Sequence, residues 1–192
     1  MSYCHFIAEQ LHTVKPEVAQ LNKRYHDHYY GYPINDDNEL FGRLILEINQ
    51  AGLSWSLMLQ KEENFRQAYA NFDIALVAQF DESDRQRLLN DAGIIRNRLK
   101  IDAVIHNAQQ IRKLQVQHGS FQAWLNLHQE LSHTAWTKLF KQTFRFTGGE
   151  IVNEFLMSTG YLPGAHDKNC PCYTRVLASQ PAWLKQQQKQ QK

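Results

Sequence analysis

Leu40, Phe41, Leu44, Ile45 and Ile48 recur at helical spacing directly behind Asp36 and Glu39, an acid pair whose three-residue separation suits the start of a helix. This is the clearest periodic signal in the chain, and it limits the fold. Helical stripes return along the rest of the sequence, whereas the strict alternation of a half-buried strand is scarce. Further helices are predicted over 62–69, 74–78, 84–89, 96–117, 121–127, 135–141 and 150–158, with Gly93, Gly119, Gly148, Gly149 and Gly160 as punctuation. The fold class expected is all-α.

A chain of 192 residues can bury one sizeable core, or build two small helical lobes around a cleft. The expected organisation is a single domain over 1–184 and a disordered tail over 185–192, which is only Gln and Lys. No apolar run reaches the length of a membrane span, and the N-terminus lacks the apolar core of a signal peptide. Three cysteines argue against a disulfide framework and for a reducing, cytoplasmic setting. The net charge of +2 says little about partners. Locally, the stretch from Ile95 to Lys113 holds five basic residues (Arg96, Arg98, Lys100, Arg112, Lys113) against one acid, Asp102. Such a run is either a solvated helix face or part of an anion-binding surface.

Three groups of residues carry candidate chemistry. On a helical wheel Glu47 falls just outside the apolar stripe, beside Leu40 and Ala51, so it borders the buried face. The run Gln50-Ala51-Gly52-Leu53-Ser54-Trp55 then makes a sharp turn ending in a large aromatic. A carboxylate beside an aromatic wall suits a flat, nitrogen-rich ligand such as a nucleobase, and equally describes a helix end that packs a tryptophan into a core. Second, Asp91-Ala92-Gly93-Ile94-Ile95-Arg96 is a Gly-containing turn between two helices. A glycine there permits a positive φ and close approach of another chain, and N–H groups opening the second helix can bind a phosphate. An ordinary corner with Gly93 as a C-cap has the same appearance. Third, His166 and Cys170 are spaced to reach one metal ion, which would need two more ligands from elsewhere in the chain.

Taken together, Tyr25-His26-Asp27, Glu47 with the 50–55 run, Asp91 to Arg96, and His166 with Cys170 resemble the 3-methyladenine DNA glycosylase I family, over roughly residues 4–172. The resemblance implies a helix-hairpin-helix domain in which Gly93, Ile94, Ile95, Arg96 and Arg98 hold a DNA strand. It implies a structural Zn2+ site tying the N- and C-terminal regions through Cys4, His26, His166 and Cys170, a set that leaves no open position for catalytic water. Cys172 is a rival for the fourth place, and His5 and His12 are weaker rivals for the N-terminal one. Glu47 matches the family's base-recognising glutamate and is the residue to which catalysis is assigned. Tyr25 and Trp55 match pocket aromatics, and Phe6 stands where the family usually has a tryptophan.

The implied activity is excision of 3-methyladenine from alkylated double-stranded DNA, with free 3-methyladenine as product. Alkylation at N3 makes the base a cation and a good leaving group, so the pocket must receive the flipped base, stack it and bind its edge. No lysine lies in or immediately before the hairpin to form a Schiff base, so a monofunctional reaction is expected. The alternative is a catalytically silent relative that binds modified bases or damaged DNA. This chain also departs from the family. Tyr30 replaces a tryptophan before Gly31, Gly149-Glu150 replaces a Thr-Thr pair, and Asn153 and Glu154 stand where an aromatic and a small residue are usual.

Overall fold

The computed structural model describes residues 2–190. In chain order its α-helices are α1 (Tyr3–His5), α2 (Pro16–His28), α3 (Asp37–Gln50), α4 (Trp55–Ala68), α5 (Ile74–Val77), α6 (Glu82–Asn90), α7 (Arg98–His118), α8 (Phe121–Leu127), α9 (His133–Thr143), α10 (Gly149–Ser158), α11 (Pro171–Ala178) and α12 (Ala182–Gln190). Among the described residues there is no strand, as the periodicity predicts, and no helix is long and apolar enough to cross a membrane. The chain divides into two compact units. One is built from the chain up to Ile34 together with the chain from Asn153 on, and the other is Asn35–Val152.

In the second unit α3 is the central element. The Asp36 carboxylate accepts a hydrogen bond from the Glu39 N–H at 2.9 Å, closing the predicted cap. Leu40, Phe41, Leu44, Ile45 and Ile48 are all buried, each such side chain contributing about 1.5–3 kcal/mol of burial free energy. Helices α4, α5, α7 and α8 and a 3-10 turn at Ala70–Phe72 pack around α3. Gly42 admits the Phe72 ring, which a Cβ there would meet at 2.3 Å. Asp37 ties the start of α3 to α8, its carboxylate accepting from the N–H groups of Phe121 (2.7 Å) and Gln122 (2.9 Å) and from the Gln115 side chain (2.8 Å). A negative charge there also complements the positive end of α8.

Several boundaries differ from those read in the sequence. Helix α4 begins at Trp55, seven residues before the predicted start, because the Ser54 hydroxyl caps it by accepting from the Leu57 N–H at 3.3 Å. Helix α7 begins at Arg98 and not at Arg96, since the Asn97 side chain caps it through the Lys100 N–H at 3.1 Å. Helices α1, α2, α11 and α12 lie outside the helices predicted from periodicity. Helix α2 is mostly polar, and its signal is Pro16 at the first helical position with Glu17 behind it. The expected disordered tail is corrected as well: residues 185–190 continue α12, anchored by the buried Trp183 and favoured by the good helix propensity of Gln and Lys. Gln191 and Lys192 lie outside the described residues.

Candidate functional site

The first unit gathers Cys4, His26, His166 and Cys170, which are separated by up to 166 positions in the sequence, with their donor atoms within 4.8 Å of one another. Cys4 Sγ lies 3.5 Å from His166 Nδ1 and 3.3 Å from His26 Nε2, and Cys170 Sγ lies 3.8 Å and 3.7 Å from the same two nitrogens. Metal–sulfur bonds of about 2.3 Å and metal–nitrogen bonds of about 2.0 Å give a tetrahedral zinc site sulfur–nitrogen edges of about 3.5 Å, so the four donors fit that ion.

The outer contacts set the tautomers. His166 Nε2 faces the Tyr30 carbonyl at 2.8 Å, an acceptor only, so the proton sits on Nε2 and the Nδ1 lone pair faces the cluster. His26 Nδ1 faces the Asp27 carboxylate at 2.8 Å, which directs the Nε2 lone pair to the two sulfurs in the same way. Burial lowers the His166 pKa, which keeps its imidazole neutral as a ligand requires, and burial pushes the Cys4 thiol up to about 12. Burial alone would raise the Asp27 carboxyl, but hydrogen bonds from Lys23, His26 and Cys172 outweigh it and hold that group well below the usual carboxylate range.

Cys172, the rival ligand, is turned away from this set. Its sulfur lies 3.6 Å from His26 Nδ1 and 3.4 Å from Asp27, and Arg175 donates to it at 3.0 Å. A guanidinium at that distance opposes a cation. The sequence reading gave Asp27 no role, although a carboxylate adjacent to a candidate ligand was the available signal.

Aromatic rings pack beside the cluster in the same unit. Tyr3 lies T-shaped on His26, stacks on Phe6 at 6.0 Å, and touches Tyr25 at 6.0 Å and Tyr30 at 5.4 Å, while Tyr25 and Tyr30 touch each other at 5.7 Å. Two sequence-predicted residues, Tyr25 and Phe6, therefore belong to one aromatic group whose centre, Tyr3, the sequence did not mark. Burial raises the Tyr3 hydroxyl above its usual range, so Tyr3 stays a neutral phenol; it donates to the Asn22 side chain at 2.9 Å.

Glu47 and Trp55 are in the second unit. Glu47 is only 3% exposed, covered more deeply than its position at the border of the apolar stripe predicts. Residues 40–49 of α3 are all buried, so the wheel's polar edge meets protein instead of water. A carboxylate held that far from solvent is costly unless it is paired or serves a function. The turn after it is built from Gly52 at φ +82°, a Leu53 N–H bond to the Gln50 carbonyl at 2.7 Å, and the Ser54 cap that places Trp55, half-buried, as the first residue of α4.

Lys100 closes the other side. This buried lysine donates its Nζ to the carbonyls of Asn49 (2.9 Å) and Ala51 (2.8 Å), satisfying backbone acceptors at the end of α3, and desolvation lowers its pKa. Lys100→Met should therefore cost about 2 kcal/mol by leaving these carbonyls without a donor, read as a lower midpoint in urea denaturation at unchanged slope.

The hairpin residues occupy the connection between α6 and α7. Ile94 is its buried anchor, Ile95 and Gly93 are half-buried, and Arg96 and Arg98 are exposed. Gly93 does not have a positive φ, contrary to expectation. It is small because a Cβ would come within 2.9 Å of the Asp91 carboxylate, which accepts the Gly93 N–H at 2.7 Å, and 3.2 Å of Asn64. Lys61 and Asn64 of α4 donate to the Gly93 carbonyl, fixing the turn from behind. The basic run is also weaker than its composition, since Lys100 is buried and Arg98 pairs with Glu82 (3.5 Å) and Asp102 (3.9 Å).

The described residues, helical and without a strand, thus hold a four-donor Cys/His cluster, a carboxylate buried near a helix end and a tight turn ahead of a long helix. The chain belongs to the methyladenine glycosylase family, whose family model matches residues 15–137. It is 35% identical to DNA-3-methyladenine glycosylase 1 of Escherichia coli (strain K12) over 168 residues, covering 78% of this chain and 89% of that protein. Among solved structures it is similar to 3-methyladenine DNA glycosylase I of Staphylococcus aureus (TM-score 0.75, 31% identity, 86% of this chain and 96% of that one). It is similar also to a variant of 3-methyladenine DNA glycosylase I in complex with 3-methyladenine (TM-score 0.77, 30% identity, 90% of this chain and 97% of that one).

Proposed function

We propose that this chain is a monofunctional DNA glycosylase of base-excision repair, acting in the cytoplasm, that hydrolyses the N-glycosidic bond of 3-methyladenine in alkylated double-stranded DNA. The observation that carries the reading is the Glu47 carboxylate, 3% exposed and fixed at a helix end in a chain of this family. Tyr25, Phe6, Trp55 and Glu47 are the residues proposed to receive the flipped base. Their rings stack on its cationic face and the carboxylate accepts N–H groups on its edge. Water forms the new bond to the anomeric carbon while the electron pair of the breaking bond returns to the base, which leaves neutral. A proton from the water passes to solvent. Lys100 supports a reaction without a Schiff base, because its Nζ is buried and already donates to two carbonyls. Cys4, His26, His166 and Cys170 would hold one zinc ion, whose contribution is to tie the chain ends and not to activate water.

The hairpin from Gly93 to Arg98 is proposed to grip the DNA backbone, in a helix-hairpin-helix arrangement. Affinity for duplex DNA should then fall as salt rises, whatever the base sequence. Arg96→Ala should weaken binding equally on unrelated duplexes and reduce the slope of log affinity against log salt by about 1. An unchanged slope in a fluorescence-anisotropy salt series would remove Arg96 from the interface. The direct test of the activity is the set of bases released from methylated DNA by the purified protein.

A further inference from the structure

The connection between α9 and α10 carries an exposed tip. Phe144 and Thr147 are both buried, and the Thr147 hydroxyl donates to the Phe144 carbonyl at 3.4 Å, so Arg145 and Phe146 between them are held out at the surface. The buried Asn107 of α7 fixes the first of the pair. Its side-chain oxygen accepts from the Arg145 N–H at 2.8 Å, and its amide donates to the Arg145 carbonyl at 3.0 Å. Phe146 then takes φ +58°, a left-handed backbone that is strained for a residue with a Cβ. The strain is not offset by burial, since Phe146 is 39% exposed. A strained backbone that keeps a large apolar side chain at the surface is the reverse of what stability alone favours.

The tip stands beside the hairpin. The Lys100 Nζ, which bonds the carbonyls at the end of α3, lies 5.7 Å from the Phe146 ring centroid, so the ring sits where the end of α3 meets the start of α7. Arg145 lines a cleft of about 480 Å3 together with Arg98 of the hairpin, Arg85, His106, Glu82 and Asp102. The two acids are engaged by Arg85 (2.8 Å to Asp102) and Arg98 (3.5 Å to Glu82), while the Arg145 guanidinium makes no hydrogen bond or ion pair among the described residues. The field in the cleft is positive: burial, and after it Arg145 and Lys113, lower the His106 pKa. All these residues belong to the second unit.

We propose that Arg145 and Phe146 form a second DNA contact beside the hairpin, the guanidinium holding a phosphate and the ring stacking on the base left without its partner when the damaged nucleotide flips out. The proposal deepens the glycosylase reading above and rests on it. Flipping takes one base out of the stack and leaves the opposite base unpaired, with a face open to a ring. Aromatic rings stack on any base, and an unpaired guanidinium takes a phosphate whatever the sequence around it. The Asn107 bonds and the fixed backbone hold both side chains in place before DNA arrives, which lowers the ordering cost of binding.

The test is fluorescence anisotropy on two duplexes of one sequence, one intact and one with a tetrahydrofuran residue replacing a nucleotide, so that the opposite base has no partner. Phe146→Gly removes the ring and adopts φ +58° without strain, which protects the fold. It should weaken binding to the tetrahydrofuran duplex about 5- to 100-fold and to the intact duplex less than about twofold. Phe146→Tyr, which keeps the stacking face, should bind both within about threefold of the parent. Arg145→Gln should weaken both duplexes alike and reduce the slope of log affinity against log salt by about 1. Equal loss on both duplexes in Phe146→Gly, no loss on either, or a Phe146→Tyr protein as weak as Phe146→Gly would overturn the stacking. An unchanged salt slope in Arg145→Gln would overturn the phosphate contact. Failure of the glycosylase reading is separate: a parent that shows this binding pattern but releases no 3-methyladenine would overturn that reading and leave the DNA contact standing.

Discussion

Glu47→Gln should bind free 3-methyladenine roughly 10- to 150-fold more weakly than the parent, the equivalent of losing one charge-assisted hydrogen bond of about 1.5–3 kcal/mol. The substitution keeps the length and one acceptor oxygen of the side chain. It removes the negative charge and presents an amide donor toward the base's own N–H groups. Burial sharpens the expectation. Because the carboxylate is 3% exposed, the parent bears a desolvation cost that the neutral amide does not. Thermal stability should change far less than affinity, as expected of a group kept for function. Calorimetric titration with 3-methyladenine and a melting curve read both quantities. Parent-like affinity would remove Glu47 from base recognition, and a large loss of stability would recast it as a structural acid.

The second large effect is expected at the metal cluster. His166→Ala removes one of four donors, the imidazole whose Nδ1 stands 3.5 Å from Cys4 Sγ, and also deprives the Tyr30 carbonyl of its 2.8 Å partner. Losses in the outer contacts of a metal site alone weaken binding about 10- to 100-fold, so loss of a ligand should weaken zinc at least 100-fold. By mass action a hundredfold loss is about 2.7 kcal/mol of apparent stability, and the melting temperature should drop by roughly 5–10 °C. Excision per folded molecule should change far less, since a saturated site takes no part in the chemistry. Elemental analysis should find about one zinc per chain in parent protein purified without chelator, and well under half of that in the variant. Finding none in the parent would contradict the assignment.

How far such features can be read from sequence depends on whether their cause is local. Helix α3 was legible because its cap at Asp36 and its stripe from Leu40 to Ile48 lie within thirteen consecutive residues. The full depth of the burial of Glu47 was not, since a helical wheel treats a helix as having a solvent side, and α3 is packed not only by the neighbouring α4 but also by α7 and α8 much further along the chain. His166 and Cys170 could be paired by spacing, but nothing local joins them to Cys4, which lies 162 positions before His166. The family resemblance supplied that set, and the geometry brings the four donors together. Gly93 illustrates the opposite error. The turn was correctly recognised, yet its glycine is required by the Asp91 carboxylate and Asn64 and not by a left-handed backbone.

The measurement closest to the central claim is chromatography of the bases that purified protein releases from duplex DNA treated with a methylating agent. The account predicts free 3-methyladenine, abasic sites and intact strands, with release strongly reduced at limiting protein in Glu47→Gln. Absence of free 3-methyladenine, or strand cleavage accompanying its release, would contradict the claim that this chain is a monofunctional 3-methyladenine glycosylase.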